Sequence, residues 1–191
     1  MRRCLVLIAD HELNPSTFVA RCVASTGATP YAVVVAALGA LSGRFHGGET
    51  ARAEGLLHEI YEGDDPIAVM AGRLARGERL PGFGQPLYPE GDPRATAILT
   101  ALAQAAPEAN ALAEKAAETG LRLIGRRPNV DFALAAMAIG LGLPRDSALG
   151  LFIIGRTIGW IAHAIEQYES GVLIRPRARY LGPLPEEGAP G

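Results

Sequence analysis

Between residues 16 and 168 the apolar side chains recur at three- and four-residue steps and nowhere sustain strict alternation. That spacing stacks them on one face of a helix and denies a sheet its two-residue period. Alanine, the strongest helix former, fills many of the intervening positions. Helices are expected over 16–25, 30–41, 49–61, 66–77, 94–106, 107–124, 130–141 and 147–168, with Pro at several starts and Gly or Pro after several ends. The expected fold class is all-α. Segment 31–41 is apolar almost all round, as in a helix that is buried or packed on another subunit. In the longest helix, Leu151, Ile154, Ile158, Ile161 and Ile165 form one stripe. Between the helices, residues 80–93 hold seven Gly or Pro in fourteen positions, and structureless runs of this length in compact domains are usually functional. The tail 183–191, rich in Pro, Gly and Glu, is expected to fray.

Composition narrows the partners. The 191 residues are 49% hydrophobic and 20% charged, a globular balance that excludes disordered and fibrous classes. A net charge of -2 removes the electrostatic footprint of a nucleic-acid binder. Of the 18 basic residues only Lys115 is lysine; the rest are arginines, forked donors suited to carboxylates and phosphates. Cys4 and Cys22 fit no metal spacing and no disulfide framework, and no metal is expected. With no signal-like leader and no run of about 18 apolar residues, the chain is expected in the cytoplasm, away from membranes.

Four places carry polar residues that the surrounding pattern does not call for. Asp10-His11-Glu12-Leu13-Asn14 lies between an apolar segment and a helix start, where capping is its ordinary role. His46 precedes Gly47-Gly48, either a turn or a place where a ligand comes close. Asp131, after Asn129-Val130, stands at a helix N-terminus, as a cap or dipole partner would. Arg94, Arg156 and Arg175 complete the set. Arg156 interrupts an apolar helix, so it needs an anion, either a ligand or an internal partner such as Glu166 or Glu169.

In order along the chain, Ala9-Asp-His-Glu-Leu-Asn14, Phe45-His-Gly-Gly48, Pro81-Gly-Phe-Gly84 with Asp92-Pro-Arg-Ala95, Pro128-Asn-Val-Asp-Phe132, Gly155-Arg-Thr-Ile-Gly-Trp-Ile-Ala-His163 and Ile174-Arg-Pro-Arg-Ala-Arg-Tyr180 resemble the citrate synthase family. The resemblance covers residues 3 to 182. It implies condensation of acetyl-CoA, or a related acyl-CoA, with oxaloacetate to give citrate and CoA. It also implies no permanently bound cofactor, Asp131 as the base, and His46 as the donor to the thioester oxygen. His11, Arg94 and Arg156 would hold the dicarboxylate, with Arg175 reaching across a dimer into the partner's site. Pro81, Gly82 and Gly84 would serve CoA.

The chain departs from the family in two respects. Where the family places a histidine that protonates the ketone, this chain has Gln85, which can donate a hydrogen bond but not a proton; losing such an acid costs ~10²–10⁴ in rate. Residues 86–89 add no cation for CoA phosphates, the nearest downstream one being Arg94. The second departure is length, since the N-terminal half of the family fold is absent. By resemblance, 1–48 is a fragment of the large domain, 49–136 the small domain on the CoA and substrate side, and 137–191 the large domain's C-terminal part. The apolar helix 31–41 would then lack neighbours in its own chain. A homodimer, or a partner chain with the N-terminal half, is expected to cover it. The expected activity is an impaired or partner-dependent citrate synthase; the alternative is a non-catalytic dicarboxylate-binding or regulatory subunit.

Overall fold

The computed structural model describes residues 1–63 and 65–182, so the expected fraying of 183–191 lies outside the described residues. Within them the chain forms nine α-helices and no strand: α1 (Arg2–Ile8), α2 (Pro15–Ala24), α3 (Pro30–Leu41), α4 (Gly47–Gly63), α5 (Pro66–Ala75), α6 (Pro93–Ala105), α7 (Pro107–Ile124), α8 (Val130–Gly140) and α9 (Ser147–Ser170). Five of these, α2, α3, α5, α6 and α7, open on proline, whose missing N–H would have been unpaired there in any case. Asn14, Thr29, Asp65, Asp92 and Asn129 cap their helices by accepting from backbone amides. Helix α1, which the sequence presents only as an apolar segment, is too short to display a period. Its Cys4 and Ile8 are buried, and the helix packs against α9.

Helix α9 carries the packing of α1, α2 and α3 and touches α4 and α8. Its isoleucine stripe does not face inward as a unit. Leu151 is buried, whereas Ile154, Ile158 and Ile165 are exposed, and the buried face runs through Phe152, Gly155, Arg156, Gly159 and Trp160. The cause is local: α1 crosses over Gly155 and Gly159, where a side chain would collide with it. At 24 residues, α9 is by length and composition apolar enough to cross a membrane, which corrects the expectation that no stretch qualifies. Helix α3 does have neighbours in its own chain, burying Val33, Ala37 and Leu41 against α2 and α9. Its other face, with Tyr31 84% and Val35 69% exposed, remains open.

The second group of helices gathers around α8, whose residues from Phe132 to Ala138 are all buried. Helices α4, α6, α7 and α9 surround it. Four alanines in that stretch keep its diameter small enough for so many neighbours. The end of α8 is equally tight, because a Cβ on Gly140 would come within 2.7 Å of the Leu102 side chain.

The α1–α9 crossing yields a stability test. A methyl group on Gly159 would overlap the Ala9 carbonyl, whereas one on Gly150 of the same helix meets open space. Gly159→Ala is expected to destabilise the fold by about 2–3 kcal/mol through overpacking. Gly150→Ala is expected to be neutral or stabilising by up to ~1 kcal/mol. Urea denaturation midpoints of the two variants compare them directly.

Candidate functional site

The loop between α5 and α6 is anchored rather than loose. Gly84 N–H donates to the Arg127 carbonyl at 2.8 Å, and Asn129 N–H donates to the Gly82 carbonyl at 2.9 Å, forming a bridge between Phe83 and Pro128. The Asn129 side chain closes the same turn twice: its amide donates to the Gly84 carbonyl, and its oxygen caps Asp131 and Phe132. Gly82, at φ +84°, leaves room for a Cβ only 3.0 Å from that of Phe132. Pro81 and Gly82 are therefore buried beneath the loop, while Gly84, Gln85 and Tyr88 reach the cavity above it.

The cavity has a volume of about 680 Å³ and lies between the α8 N-terminus, the α4 start and the face of α9 around Arg156. Asp131, His46, His11, Arg94 and Arg156, five residues singled out in the sequence, all line it. Thr50 Oγ1 donates to Asp131 Oδ1 at 2.6 Å. Burial raises the Asp131 carboxyl to about 6, against the stabilising Thr50 hydrogen bond. His46 Nε2 lies 2.9 Å from Ser16 Oγ, which in turn accepts from Trp160 Nε1. Burial first, and then the Arg156 charge, depress the His46 pKa, so the ring is neutral near pH 7. Ser16 Oγ also donates to Asn14 Oδ1 at 2.9 Å, so one hydroxyl joins His46 to the cap of α2.

Arg94 is 7% exposed and forks onto Asp92, with Nε and Nη2 donating at 3.0 and 2.8 Å. Arg156 is 1% exposed and donates Nε–H to the Ile8 carbonyl at 2.8 Å, leaving Nη1 buried without a hydrogen-bond partner. The internal pairing of Arg156 with Glu166 or Glu169 is thereby overturned, because Glu166 instead accepts from Arg21. Burial, followed by the nearby Arg94 charge, lowers the Arg156 pKa to about 10. A buried guanidinium on a cavity wall, with one nitrogen left without a partner, fits an anionic ligand. Arg175 lies in the exposed segment after α9, outside the cavity of its own chain.

Three further cations enter the cavity wall: Arg79, Arg126 and Arg127. They add basic side chains to a loop that in the sequence has Arg94 as its nearest downstream cation. The signal was present, since Arg126-Arg127 directly precede Pro128-Asn129, but only the Phe83–Pro128 bridge brings them to the loop. Thr50 and Tyr88 were missed for the same reason: their importance comes from contacts across 81 and 77 residues. Among the described residues no three His, Cys, Asp or Glu side chains cluster as metal ligands.

The family description "Citrate synthase, C-terminal domain" matches residues 1–177. A citrate synthase of Haloferax volcanii is 43% identical over 93% of this chain and 48% of its own length. The chain thus spans about half the length of that curated relative. Among solved structures, a citryl-CoA lyase from Hydrogenobacter thermophilus superposes with a TM-score of 0.83 at 30% identity, over 97% of this chain and 77% of the lyase. The Thermoplasma acidophilum citrate synthase in ternary complex with carboxymethyl coenzyme A and oxaloacetate gives 0.76 at 33% identity, over 98% and 52%. With the family description matching nearly its full length, the chain belongs to the citrate synthase family.

Proposed function

We propose that this chain condenses acetyl-CoA, or a related acyl-CoA, with oxaloacetate, and that water then hydrolyses the citryl thioester to give citrate and CoA. The observation that carries the reading is one cavity uniting a carboxyl raised to about 6, a neutral histidine and two buried arginines. The Thermoplasma relative, solved with a CoA analogue and oxaloacetate, supports the substrate class. Thioester methyl protons are weak acids, so the base must act while the enolate oxygen receives a hydrogen bond. Asp131 takes the proton, and His46 serves the thioester oxygen. Arg94 and Arg156 hold the oxaloacetate carboxylates, with His11 beside them. Gly84, Arg126 and Arg127 lie where the CoA end would enter.

Assembly and location belong to the same reading. A second copy, or a segment carrying the other half of the family fold, covers the open faces of α3 and α9. Arg175 then serves the neighbouring site, and the protein works in the cytoplasm without nucleic acid or membrane. One observation favours a second reading: Gln85, in the position of the family's acid, suits a non-catalytic dicarboxylate-binding subunit as well.

Asp131→Asn separates the two readings, since an amide cannot accept the methyl proton. CoA release from acetyl-CoA and oxaloacetate should fall by at least ~10²–10⁴. An unchanged rate would remove Asp131 as the base, and release no faster than the uncatalysed background in the unaltered chain would leave only the binding reading.

The pH profile is a second check. Asp131 works ionised, so kcat/KM should drop as pH falls through about 6. The Thr50 hydrogen bond favours the carboxylate, so Thr50→Val should move that acidic limb to higher pH.

Arg156→Lys keeps the charge but loses the fork. Calorimetry should find dicarboxylate binding weakened ~10-fold or more, the worth of one charge-assisted hydrogen bond. Equal affinity would remove Arg156 from the carboxylate site.

A further inference from the structure

Condensation leaves one proton unaccounted for in this chain. When the enolate carbon attacks the ketone, the ketone oxygen becomes an alkoxide and must be protonated, and Gln85 has no proton to give. The other proton-bearing groups on the cavity wall are few. Asp131 and His46 act at the thioester end. Asp92 is held ionised by Arg94, and Glu49 is paired with Arg52 at 2.8 Å. His11 and Tyr88 remain.

These two residues are in contact. His11 Nε2 lies 3.2 Å from the Tyr88 hydroxyl, and their rings are 5.6 Å apart. Tyr88 is half-buried on the cavity wall, three residues beyond Gln85 on the same anchored loop. The Arg94 guanidinium lies 5.6 Å from the Tyr88 ring centre, so the residue assigned to a substrate carboxylate also adjoins the phenol. Helix α9 fixes the other side: Asp10, the residue before His11, is bonded to His163 Nε2 at 3.0 Å.

We propose that Tyr88 is the proton donor to the ketone oxygen in this chain, taking the place left open by Gln85. The inference rests on the condensation reading above. The neutral His11 ring donates Nε2–H to the phenol oxygen, which leaves the Tyr88 O–H free to point at the substrate. As the carbon–carbon bond forms, the ketone π pair moves to oxygen and takes the phenol proton. The resulting tyrosinate is stabilised by the His11 N–H and the Arg94 charge, then reprotonated by water. The methyl proton goes to Asp131 and the phenol proton to the new hydroxyl, so the step balances. A phenol can release a proton to an alkoxide, which an amide cannot.

The test uses the chain as it exists and follows two partial reactions: exchange of the acetyl-CoA methyl protons in deuterated water with malate present, and CoA release with oxaloacetate. Malate has a hydroxyl where oxaloacetate has the ketone, so exchange reports the Asp131 end alone. Tyr88→Phe is expected to lower kcat for CoA release by ~10²-fold, while exchange changes by less than about threefold. Installing the family's acid as Gln85→His should make the phenol dispensable, shrinking the Tyr88→Phe penalty at least ~10-fold. Exchange without CoA release, or CoA release unaffected by Tyr88→Phe, overturns the proposal while sparing the base. A loss of both reactions in Tyr88→Phe assigns Tyr88 a structural role and also overturns it. Absence of exchange in the unaltered chain overturns the condensation reading itself, and this inference with it.

Discussion

The Asp92 carboxylate is the joint on which the site depends. It accepts from the backbone N–H of Arg94 at the start of α6, from the Arg94 guanidinium, and from the backbone N–H of Val130 at the start of α8. One side chain thus ties two helix N-termini together and fixes the arginine between them. Burial alone would push its pKa up, but Arg94 and the two amides outweigh that and hold it below the usual carboxylate range. An ionised group this buried is tolerable only with every partner in place; removing one leaves a charge stranded in low dielectric. Because Val130 directly precedes Asp131, the same joint sets the position of the Asp131 carboxyl.

Helix α9 supplies the opposite wall by a different means. Gly155 and Gly159 admit α1 so closely that the α1 end delivers its Ile8 carbonyl to Arg156. Trp160 steadies Ser16, which lies against His46, and His163 holds Asp10 next to His11. Three side chains on one helix therefore govern the α1–α2 connection and the His46 turn, both of which reach the cavity. Backbone packing at two glycines and polar contacts at three side chains act together, so the apolar look of α9 in the sequence conceals its role.

The all-α class and the helix spans to within a few residues were legible in the sequence, because periodicity, proline starts and cap residues are local signals; seven cavity residues were legible only as polar anomalies or through the family resemblance. What escaped was non-local. Helix α1 is stabilised by α9 and carries no period of its own. The spacing shows the isoleucine stripe of α9, but which side of the helix is buried is decided by where α1 meets Gly155 and Gly159. Arg126 and Arg127 became part of the wall only through a bridge to Phe83, and Thr50 through its bond to Asp131. Arg156 stood out as an anomaly, yet its partner proved to be a backbone carbonyl that no charge pairing could have suggested.

Two carboxylates at one helix start show how environment divides their labour. Asp92 and Asp131 are both associated with the N-terminus of α8, where the helix dipole favours negative charge on each. Asp92 sits against a guanidinium and amides and remains ionised. Asp131 has one hydroxyl for support, is pushed up by burial and then further by Glu49, and is raised to about 6. Pairs of acids driven apart in this way mark a structural anion beside a proton acceptor. A carboxyl kept that basic is costly to the fold: between its ordinary value near 3.8 and about 6 the native state holds the proton more tightly than the unfolded chain, so this group's contribution to stability falls as pH rises through that window. A binding subunit would gain stability by discarding such a group. Its position at the mouth of α8, hydrogen-bonded to Thr50 and facing the same cavity as two buried arginines, is what supports the proposal that a proton is taken here.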